Sequence, residues 1–562
     1  MKDANCFWRR ISLSAILLIL QQSSLLIDDG SLYVSALSLP STSSISSRRI
    51  TNKEVTFQQE PDMEAYSKGF QSVTQELSHM NTVVESLPDD LVGTYYRSGP
   101  AMFTAGSIPP QGYSAVNPKE KPVADGVDPE RMVRHPFDGD GAIVAVTFHP
   151  GNETCAASAT VRYRFVKTIA FENERKKGKK LYSGMDSTRL DDDVAVNNPG
   201  NDYPLPMYRH HLQPGLNKKR RNTSNTRSVF WGKRLLTMWE GGLPHKIDAL
   251  SLSTTGKSQL GGVLPEDAPF SGKAAYDANL DRMLFYSNVQ DSGSSELRVF
   301  EFDNKFKLVG NKDEQQSHKL EGLALLNDFA VTKNYSIFVK PPVETNMFPF
   351  MMSKDPSKSA KLDQNGQSSL YIVPRTGVGS PLKSVPIPVD NEASDVDLHF
   401  CNAYEEGEFI VFDAIRSNVS EKRKSFSVWP WASSLGDYSN CVSKKSLWRY
   451  RYNLTTGTVE KELLCDTDCN FGVINPEYSA KKHRYIYANV GGLGKDVAPP
   501  QGIAKLDCES KTIEVSFRLD IGLNLTFFMF LTECFFIFIT FSNGFLSLTN
   551  FQVSQCSLAR IM

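Results

Sequence analysis

The feature that most constrains the fold is a long series of short strand patterns between about residue 90 and residue 518. In each run, apolar and polar residues alternate with a period of two, as in a β-strand with one buried face. No long helical periodicity separates the runs. The clearest runs are Ala142–His149, Thr160–Lys167, Arg234–Glu240, Arg282–Asn288, Leu297–Asp303, Leu370–Pro374, Phe409–Asp413, Leu447–Leu454 and Arg484–Val490. The body of the chain is therefore predicted to be all-β.

Many short strands at even spacing favour a β-propeller over a sandwich, which needs fewer strands. A four-stranded blade takes about 40–45 residues, so this body holds roughly nine or ten blade-lengths. Long loops reduce that number, and we predict a seven-bladed propeller. Ligands of a propeller bind on its axis, where the inner strands of all blades converge. Functional residues are therefore expected at the starts of inner strands.

Composition excludes several classes of protein. The 562 residues include 62 Lys and Arg against 63 Asp and Glu, a net charge of −1, which gives no support for nucleic acid as a partner. Nine cysteines in so long a chain do not form a disulfide framework. Cys465 and Cys469 are the only close pair, and a zinc site of the usual kind would need a second pair at similar spacing.

Residues 1–55 have the composition of a targeting presequence. Arg9 and Arg10 precede the apolar run Ile11–Leu20, which has the layout of a signal peptide and is too short to span a bilayer comfortably. A Ser-rich stretch with two Arg and no acidic residue follows, as in a transit peptide. The order resembles the two-part plastid presequence of algae, with its junction at Val34–Leu37. Plastid localisation is predicted, and the alternative is the secretory pathway.

Seven motifs, in order over about four hundred residues, resemble those of the carotenoid cleavage oxygenase family. The first, Leu87–Pro100, matches the opening LPxxLxGTYxRNGP of that family, and the second, His135–Gly141, contains its FDGDG turn. The others are Asn222–Thr226, Arg234–Pro244, His399–Glu405, Ile474–Tyr478 and Gly502–Asp507. Each motif alone is weak, and the ordered set identifies the chain as a member of the family.

The resemblance implies a seven-bladed propeller that cleaves a double bond of a carotenoid or apocarotenoid with O2. It also implies Fe2+ as cofactor, held on the axis by four neutral His side chains, three of which are oriented by Glu. Imidazole suits iron, and open coordination positions accept O2. The fold and chemistry of residues 56–520 are expected on this basis.

The ligand positions implied by the resemblance are only partly occupied by His. His399, in the HxxNAxE motif, is the third ligand. Lys273 stands at the first position and Asn327 at the second, while the segment that carries the fourth is not found. Asp328, next to Asn327, offers a carboxylate, but the ammonium of Lys273 would be repelled by Fe2+. We therefore expect less than one iron per chain.

The Glu residues that orient the ligands are also reduced in number. Glu240, in the WEGG motif, is kept, Asn470 stands where the second Glu is expected, and the third belongs to the segment that is not found. Oxidative cleavage is the function that the family implies. The alternative is a catalytically impaired or repurposed paralogue that binds a carotenoid without iron chemistry of the family type, and a third possibility is iron-free chemistry with Lys273 as an acid.

Two further segments carry predictions. The resemblance stops near Asp520, and residues 521–562 form a Phe-rich apolar tail with Glu533 near its middle. We interpret the tail as a gene-model artefact that removes the final propeller strands, with a membrane segment as the alternative. The apolar stretch Asn346–Met352 lies where the family has its membrane-dipping tunnel entrance, so peripheral membrane contact is predicted, with a buried loop as the alternative.

Overall fold

The computed structural model describes the backbone of most of the strand-rich body and of a few segments outside it. The described residues are 16–17, 47–50, 61, 72–73, 75–83, 91–103, 138–151, 155–178, 181–182, 221–265, 268–291, 294–310, 317–345, 360–363, 366–389, 395–418, 438–439, 442–491, 497–517, 526–531, 535–542 and 545–552. The stretch 346–352, predicted to be a tunnel entrance, and most of the predicted presequence lie outside them.

Six antiparallel sheets, named blades 1 to 6, follow one another along the chain. Blade 1 contains β3 (Leu77–Val83), β4 (Gly93–Met102), β5 (Asp140–His149) and β6 (Ser158–Phe165). Blade 2 contains β7 (Arg227–Trp231), β8 (Arg234–Trp239), β9 (Gly242–Ile247) and β10 (Thr254–Lys257). Blade 3 contains β11 (Ala275–Asp277), β12 (Arg282–Asp291), β13 (Ser294–Phe302) and β14 (Ser317–Glu321).

Blade 4 contains β15 (Phe329–Val331), β16 (Tyr335–Lys340), β19 (Ser369–Pro374) and β20 (Lys383–Pro386). Blade 5 contains β21 (Asp395–Glu406), β22 (Phe409–Asn418), β23 (Lys445–Asn453) and β24 (Val459–Cys465). Blade 6 contains β25 (Cys469–Val473), β26 (Tyr485–Val490), β27 (Gly502–Asp507) and β28 (Thr512–Phe517), and β2 (Ser47–Ile50) pairs with its outer strand β28. The inner strands that begin blades 2 to 6 are β7, β11, β15, β21 and β25.

Other elements lie outside the blades. A separate hairpin joins β17 (Val343–Thr345) to β18 (Ala360–Leu362), and the helix α1 (Ile169–Lys177) follows blade 1. The helix begins at Thr168, whose Oγ1 accepts a hydrogen bond from the N–H of Phe171, and ends at Gly178 in the left-handed region. A further sheet pairs β1 (Ile16–Leu17), β29 (Thr526–Leu531), β30 (Phe535–Ser542) and β31 (Phe545–Gln552) only with one another.

The all-β propeller architecture is confirmed, but the prediction of seven blades is wrong, because the described strands form six blade sheets. The estimate from residues per blade fails because loops and the β17–β18 hairpin consume much of the chain without adding blade strands. The strands of the apolar tail form their own sheet instead of extending a blade. No helix in the described part of the chain is both long and apolar enough to cross a membrane.

The apolar residues that alternate with polar ones along each strand pack one blade against the next. Between blades 3 and 4, Leu284, Tyr286 and Leu297 are buried against Phe329 and Phe338. The rings of Phe329 and Phe338 stack with centroids 5.3 Å apart, and Tyr286 meets each of them edge-on. Burying such a side chain contributes about 1.5–3 kcal/mol, so these interfaces hold the inner strands in place.

A buried ion network also joins blades 3 and 4. Arg375, which follows β19, lies 2.6 Å from Asp277 in β11 and 2.7 Å from Glu301 in β13. Arg375 also donates to the carbonyl oxygen of Thr332 at 2.7 Å, and Arg282 lies 3.0 Å from Glu301. Because each buried charge has an opposite partner in direct contact, the network tolerates its loss of solvent.

The FDGDG turn has a structural role in blade 1. One terminal guanidinium nitrogen of the buried Arg221 lies 2.5 Å from a carboxylate oxygen of Asp140, and the other lies 2.5 Å from one of Glu174 in α1. A Cβ atom on Gly141 would lie 2.4 Å from the carbonyl oxygen of Thr223, which already accepts the N–H of Gly141 at 3.0 Å. Only glycine fits this close approach of two backbones.

Candidate functional site

The predicted site residues come from five consecutive blades and lie at or near the starts of inner strands. Glu240 directly follows β8, Lys273 precedes β11 by two residues, and Asn327 precedes β15. His399 lies within β21 and Asn470 within β25. We call these residues, together with Asp328 and Phe471, the axial site.

Glu240 lies deep in the protein but opens onto accessible space. Gly272 packs against it so closely that a Cβ atom at that position would lie 2.8 Å from Cγ of Glu240. The side chain is nevertheless exposed by surface area. Burial raises the pKa of Glu240 to about 7, the ammonium of Lys273 opposes that rise, and the charge of Asp328 adds to it. The carboxyl group of Glu240 is thus accessible although protein lies close around it, and the accessible space that it faces is called the chamber.

Asp328 is positioned by the backbone of two blades. It accepts the N–H of Phe329 on Oδ1 at 2.9 Å and the N–H of Phe400 on Oδ2 at 3.2 Å. Burial acts to raise the pKa of Asp328, but Lys273, His399 and the N–H of Phe329 together lower it below its usual value. Asp328 is therefore a fixed anion at the start of β15.

His399 is the only imidazole that the structure places among these residues in the described part of the chain. Its Nδ1 lies 3.8 Å from Oδ2 of Asp328, which is too long for a hydrogen bond, and this nitrogen has no partner among the described residues. Burial lowers the pKa of His399 to about 4, against an opposing effect of Asp328. The ring is therefore neutral near pH 7.

Lys273 is half-buried and belongs to the same group of charges. The hydroxyl of Ser271 donates to its carbonyl oxygen at 2.6 Å, which fixes the backbone before β11. Its ammonium lowers the pKa of both Glu240 and Asp328, although no described carboxylate oxygen lies within 4.0 Å of it. Lys273 thus acts on both carboxyl groups across a space, without a direct ion pair.

Asn470 and Phe471 form the edge of the site on blade 6. The side-chain oxygen of Asn470 accepts the N–H of Phe471 at 3.1 Å. Phe471 adopts a positive φ of 52°, is 49% exposed, and its ring centroid lies 5.7 Å from that of His399. A bulky residue in the left-handed region is strained, and such strain is often found at functional sites. No sequence pattern indicated Phe471 beyond its place beside Asn470.

Asn327 is exposed and directly precedes Asp328 in the chain. Direct contacts link only some residues of the axial site: His399 meets Phe471 and approaches Asp328, whereas Lys273 and Glu240 are coupled by charge. The prediction that Glu240 orients a ligand ring stays a prediction. Asn470 does not contact His399 in place of a Glu, because its side-chain oxygen is engaged with the backbone.

A second cluster of metal-ligating side chains lies elsewhere. Asp413, His483 and Cys508 place one ligand atom each within 4.8 Å of one another, the one such buried group found among the described residues. Arg449, however, donates twice to Asp413 at 2.8 Å, and Asn402 donates to Nδ1 of His483 at 3.0 Å. Since the carboxylate is already neutralised by a guanidinium, this cluster is a structural network.

Comparison with known proteins defines the family. The family model described as retinal pigment epithelial membrane protein matches residues 70–543. The chain belongs to this family, the carotenoid oxygenases. The match takes in residues 521–543 of the apolar tail as well as the blades.

Two relatives and one solved structure illustrate the similarity. The chain is 29% identical over 469 residues to apocarotenoid-15,15′-oxygenase of Synechocystis sp., covering 80% of this chain and 82% of that protein. It is 25% identical over 460 residues to carotenoid 9,10(9′,10′)-cleavage dioxygenase 1 of Pisum sativum, covering 79% and 72%. The cobalt-substituted Synechocystis enzyme has a TM-score of 0.66 at 26% identity, covering 86% and 91%.

The described residues of this chain do not fit a four-His iron site. The axial site offers one imidazole, two carboxylates, two amides and an ammonium, and the unpartnered Nδ1 of His399 lacks the carboxylate that would orient a ligand ring. Carboxylate and imidazole can hold a divalent ion, but the cation of Lys273 opposes one in the same space. The predictions of Lys273 and Asn327 as substituted ligand positions stay predictions.

Proposed function

We propose that this protein binds a carotenoid or apocarotenoid and takes part in oxidative cleavage of one of its double bonds with O2. The observation that carries the proposal is the similarity, in sequence and in fold, to an apocarotenoid oxygenase over most of both chains. In the overall reaction, one C=C bond and one O2 become two carbonyl groups, so no other oxidant is consumed. The axial site is where the polyene would lie.

The chain's own residues suit it to hold a polyene. Phe471 presents an exposed aromatic face beside the neutral ring of His399, and both can pack on an extended apolar chain. Glu240 faces the chamber, and its pKa of about 7 makes it half-protonated near neutral pH. Fe2+ is the cofactor that the family implies, and because the described donors do not fit it, no step is assigned to a metal here.

A second candidate function has a specific observation in its favour. Lys273 and Asn327 occupy two positions where the family resemblance implies imidazole, and Lys273 places a positive charge beside Asp328 and Glu240. This arrangement favours a protein that binds a carotenoid or apocarotenoid without iron chemistry of the family type.

Metal content and turnover together separate the two candidates. Purified full-length protein, loaded anaerobically with Fe2+, is analysed for bound iron and then incubated with β-carotene or an apocarotenal in the presence and absence of O2. Oxidative cleavage predicts O2-dependent carbonyl products by liquid chromatography and mass spectrometry. Tight binding of the pigment with neither bound iron nor products would overturn the first candidate and support the second.

A matched variant tests the role of the substitutions. The double variant Lys273→His and Asn327→His replaces the cation and the amide with imidazoles, so we expect bound iron to rise above that of the unaltered chain. The double variant Lys273→Met and Asn327→Met is the control, since it removes the cation without adding ligands. Equal iron in all three proteins would show that these positions do not decide metal binding.

We also propose that residues 1–55 direct the protein to a plastid. The support is the order of a signal-like segment and a Ser-rich, acid-free segment. A fusion of residues 1–55 to a fluorescent protein, expressed in an alga with a secondary plastid, should reach the plastid. Fluorescence confined to the secretory pathway would support the alternative.

A further inference from the structure

Lys273 is a nucleophilic group in the axial site to which oxidative cleavage itself assigns no task. It is half-buried on the segment between Gly272, which packs on Glu240, and the inner strand β11. Its backbone is fixed by Ser271, and its ammonium has no carboxylate within 4.0 Å among the described residues. The side chain of Lys273 is therefore held near the chamber and forms no direct ion pair with a described carboxylate.

The surroundings of Lys273 contain what an amine needs to react with an aldehyde. Two carboxyl groups, Glu240 and Asp328, lie within electrostatic range of it on neighbouring blades. Glu240, whose pKa is raised by burial to about 7, can both accept and return a proton near neutral pH. Asp328, fixed as an anion by two backbone N–H groups, can balance a cation formed on the nitrogen.

We propose that Lys273 binds a carotenoid-derived aldehyde covalently, as an imine. This inference rests on the proposed function for the class of ligand, since cleavage of a polyene by O2 yields aldehydes. The ammonium first gives a proton to a carboxylate, and the nitrogen lone pair then forms a C–N bond to the aldehyde carbon. The carbonyl oxygen takes up protons and leaves as water, so amine and aldehyde give imine and water with no oxidant or reductant.

The geometry also accounts for the rest of such a ligand. A polyene attached at Lys273 would extend across the axial site toward blades 5 and 6, where the exposed ring of Phe471 lies beside His399. Asp328 stands between these two groups in blade order, at the start of β15. A protonated imine would therefore have a fixed counterion and an aromatic surface for its chain.

Reductive trapping tests the proposal directly. The full-length protein is incubated with all-trans-retinal, treated with sodium cyanoborohydride, and analysed by intact mass and peptide mapping. We expect one retinyl adduct, on the peptide that contains Lys273, and none with all-trans-retinol, which cannot condense with an amine. The Lys273→Arg variant keeps the charge and should lose the adduct, whereas Lys482→Arg, at an exposed lysine paired with Glu406, should keep it.

Two further measurements make the result decisive. Quenching of tryptophan fluorescence reports retinal binding independently of the adduct, and thermal melting shows whether each variant is folded. Retinal binding without an adduct at Lys273, or equal labelling of folded Lys273→Arg, would overturn the imine while leaving the proposed function intact. Absence of both binding and cleavage for retinal, apocarotenal and β-carotene would overturn the proposed function and the imine together.

The aldehyde could be supplied from outside or be the chain's own product, and a second arm separates these sources. In that arm β-carotene and O2 replace retinal before reduction. An adduct in this arm as well identifies a product retained after cleavage. An adduct with retinal alone identifies capture of an aldehyde made elsewhere.

Discussion

Two glutamates of this propeller have pKa values shifted in opposite directions, that of Glu301 downward and that of Glu240 upward. Glu301, between blades 3 and 4, lies 2.7 Å from Arg375 and 3.0 Å from Arg282, and these partners lower its pKa although burial acts to raise it. Glu240, in the axial site, is influenced by Lys273 without a direct ion pair, and burial raises its pKa to about 7. Glu301 lies on the third strand of blade 3, and Glu240 directly follows the second strand of blade 2.

The two glutamates differ in whether a positively charged side chain contacts the carboxyl group directly. At Glu301, guanidinium groups replace the lost water with hydrogen bonds, so the charge is retained and joins two blades. In the axial site the charges are kept apart around accessible space, where a ligand can come between them. The first arrangement stabilises the fold, and the second leaves groups able to exchange protons or bind a substrate.

Removal of Arg375 should give the largest effect on stability. The Arg375→Met variant leaves Asp277 buried without a positively charged partner and Glu301 with Arg282 alone, so we expect the free energy of unfolding to fall by about 3–5 kcal/mol. Urea unfolding followed by circular dichroism measures it. The control is Arg298→Met, because the pair of Arg298 and Glu296 is exposed and should change stability by less than about 1 kcal/mol. Similar losses in both variants would contradict the structural role given to the buried network.

The raised pKa of Glu240 should make the stability of the folded protein depend on pH. Its pKa in the folded protein, about 7, is above the usual 4.5, so the folded state holds this proton at pH values where the unfolded state has lost it. Stability therefore falls as pH rises through that window. In Glu240→Gln this loss is absent, and we expect the variant to gain about 1 kcal/mol relative to the unaltered protein between the two pKa values, since solvent screening at the exposed carboxyl reduces the effect.

The control for this pH profile is Glu296→Gln. Ser317 and Arg298 donate hydrogen bonds to Glu296 and lower its pKa, so loss of its charge should act in the opposite direction. Unfolding curves in urea at a series of pH values compare the three proteins. A Glu240→Gln profile parallel to that of the unaltered protein would mean that Glu240 ionises normally and that the chamber is open to bulk water.

The sequence was sufficient for the fold class, but not for the number of blades or for the contacts between them. Period-two alternation specifies strands because it follows from the geometry of one chain segment. The roles given to Glu240, Lys273, Asn327 and His399 by the motifs stay predictions. The prediction of the number of blades was wrong because loop lengths have no such period. The missing contact between Lys273 and the carboxylates, and the strained Phe471, depend on how separate blades pack, which no local pattern records.

The smallest effect of a substitution on the free energy of unfolding is expected at Lys273. Because the ammonium makes no direct ion pair, Lys273→Met should change the free energy of unfolding by less than about 0.5 kcal/mol at pH 7. The same substitution removes the charge that lowers the pKa of Glu240 and Asp328, so the pH window in which Glu240 loses its proton should move upward. Urea unfolding across pH measures both quantities, with Lys273→Arg as the control that keeps the charge. A loss as large as that of Arg375→Met would show that Lys273 is a structural partner like Arg375, and a chamber of separated charges would then be the wrong description of the axial site.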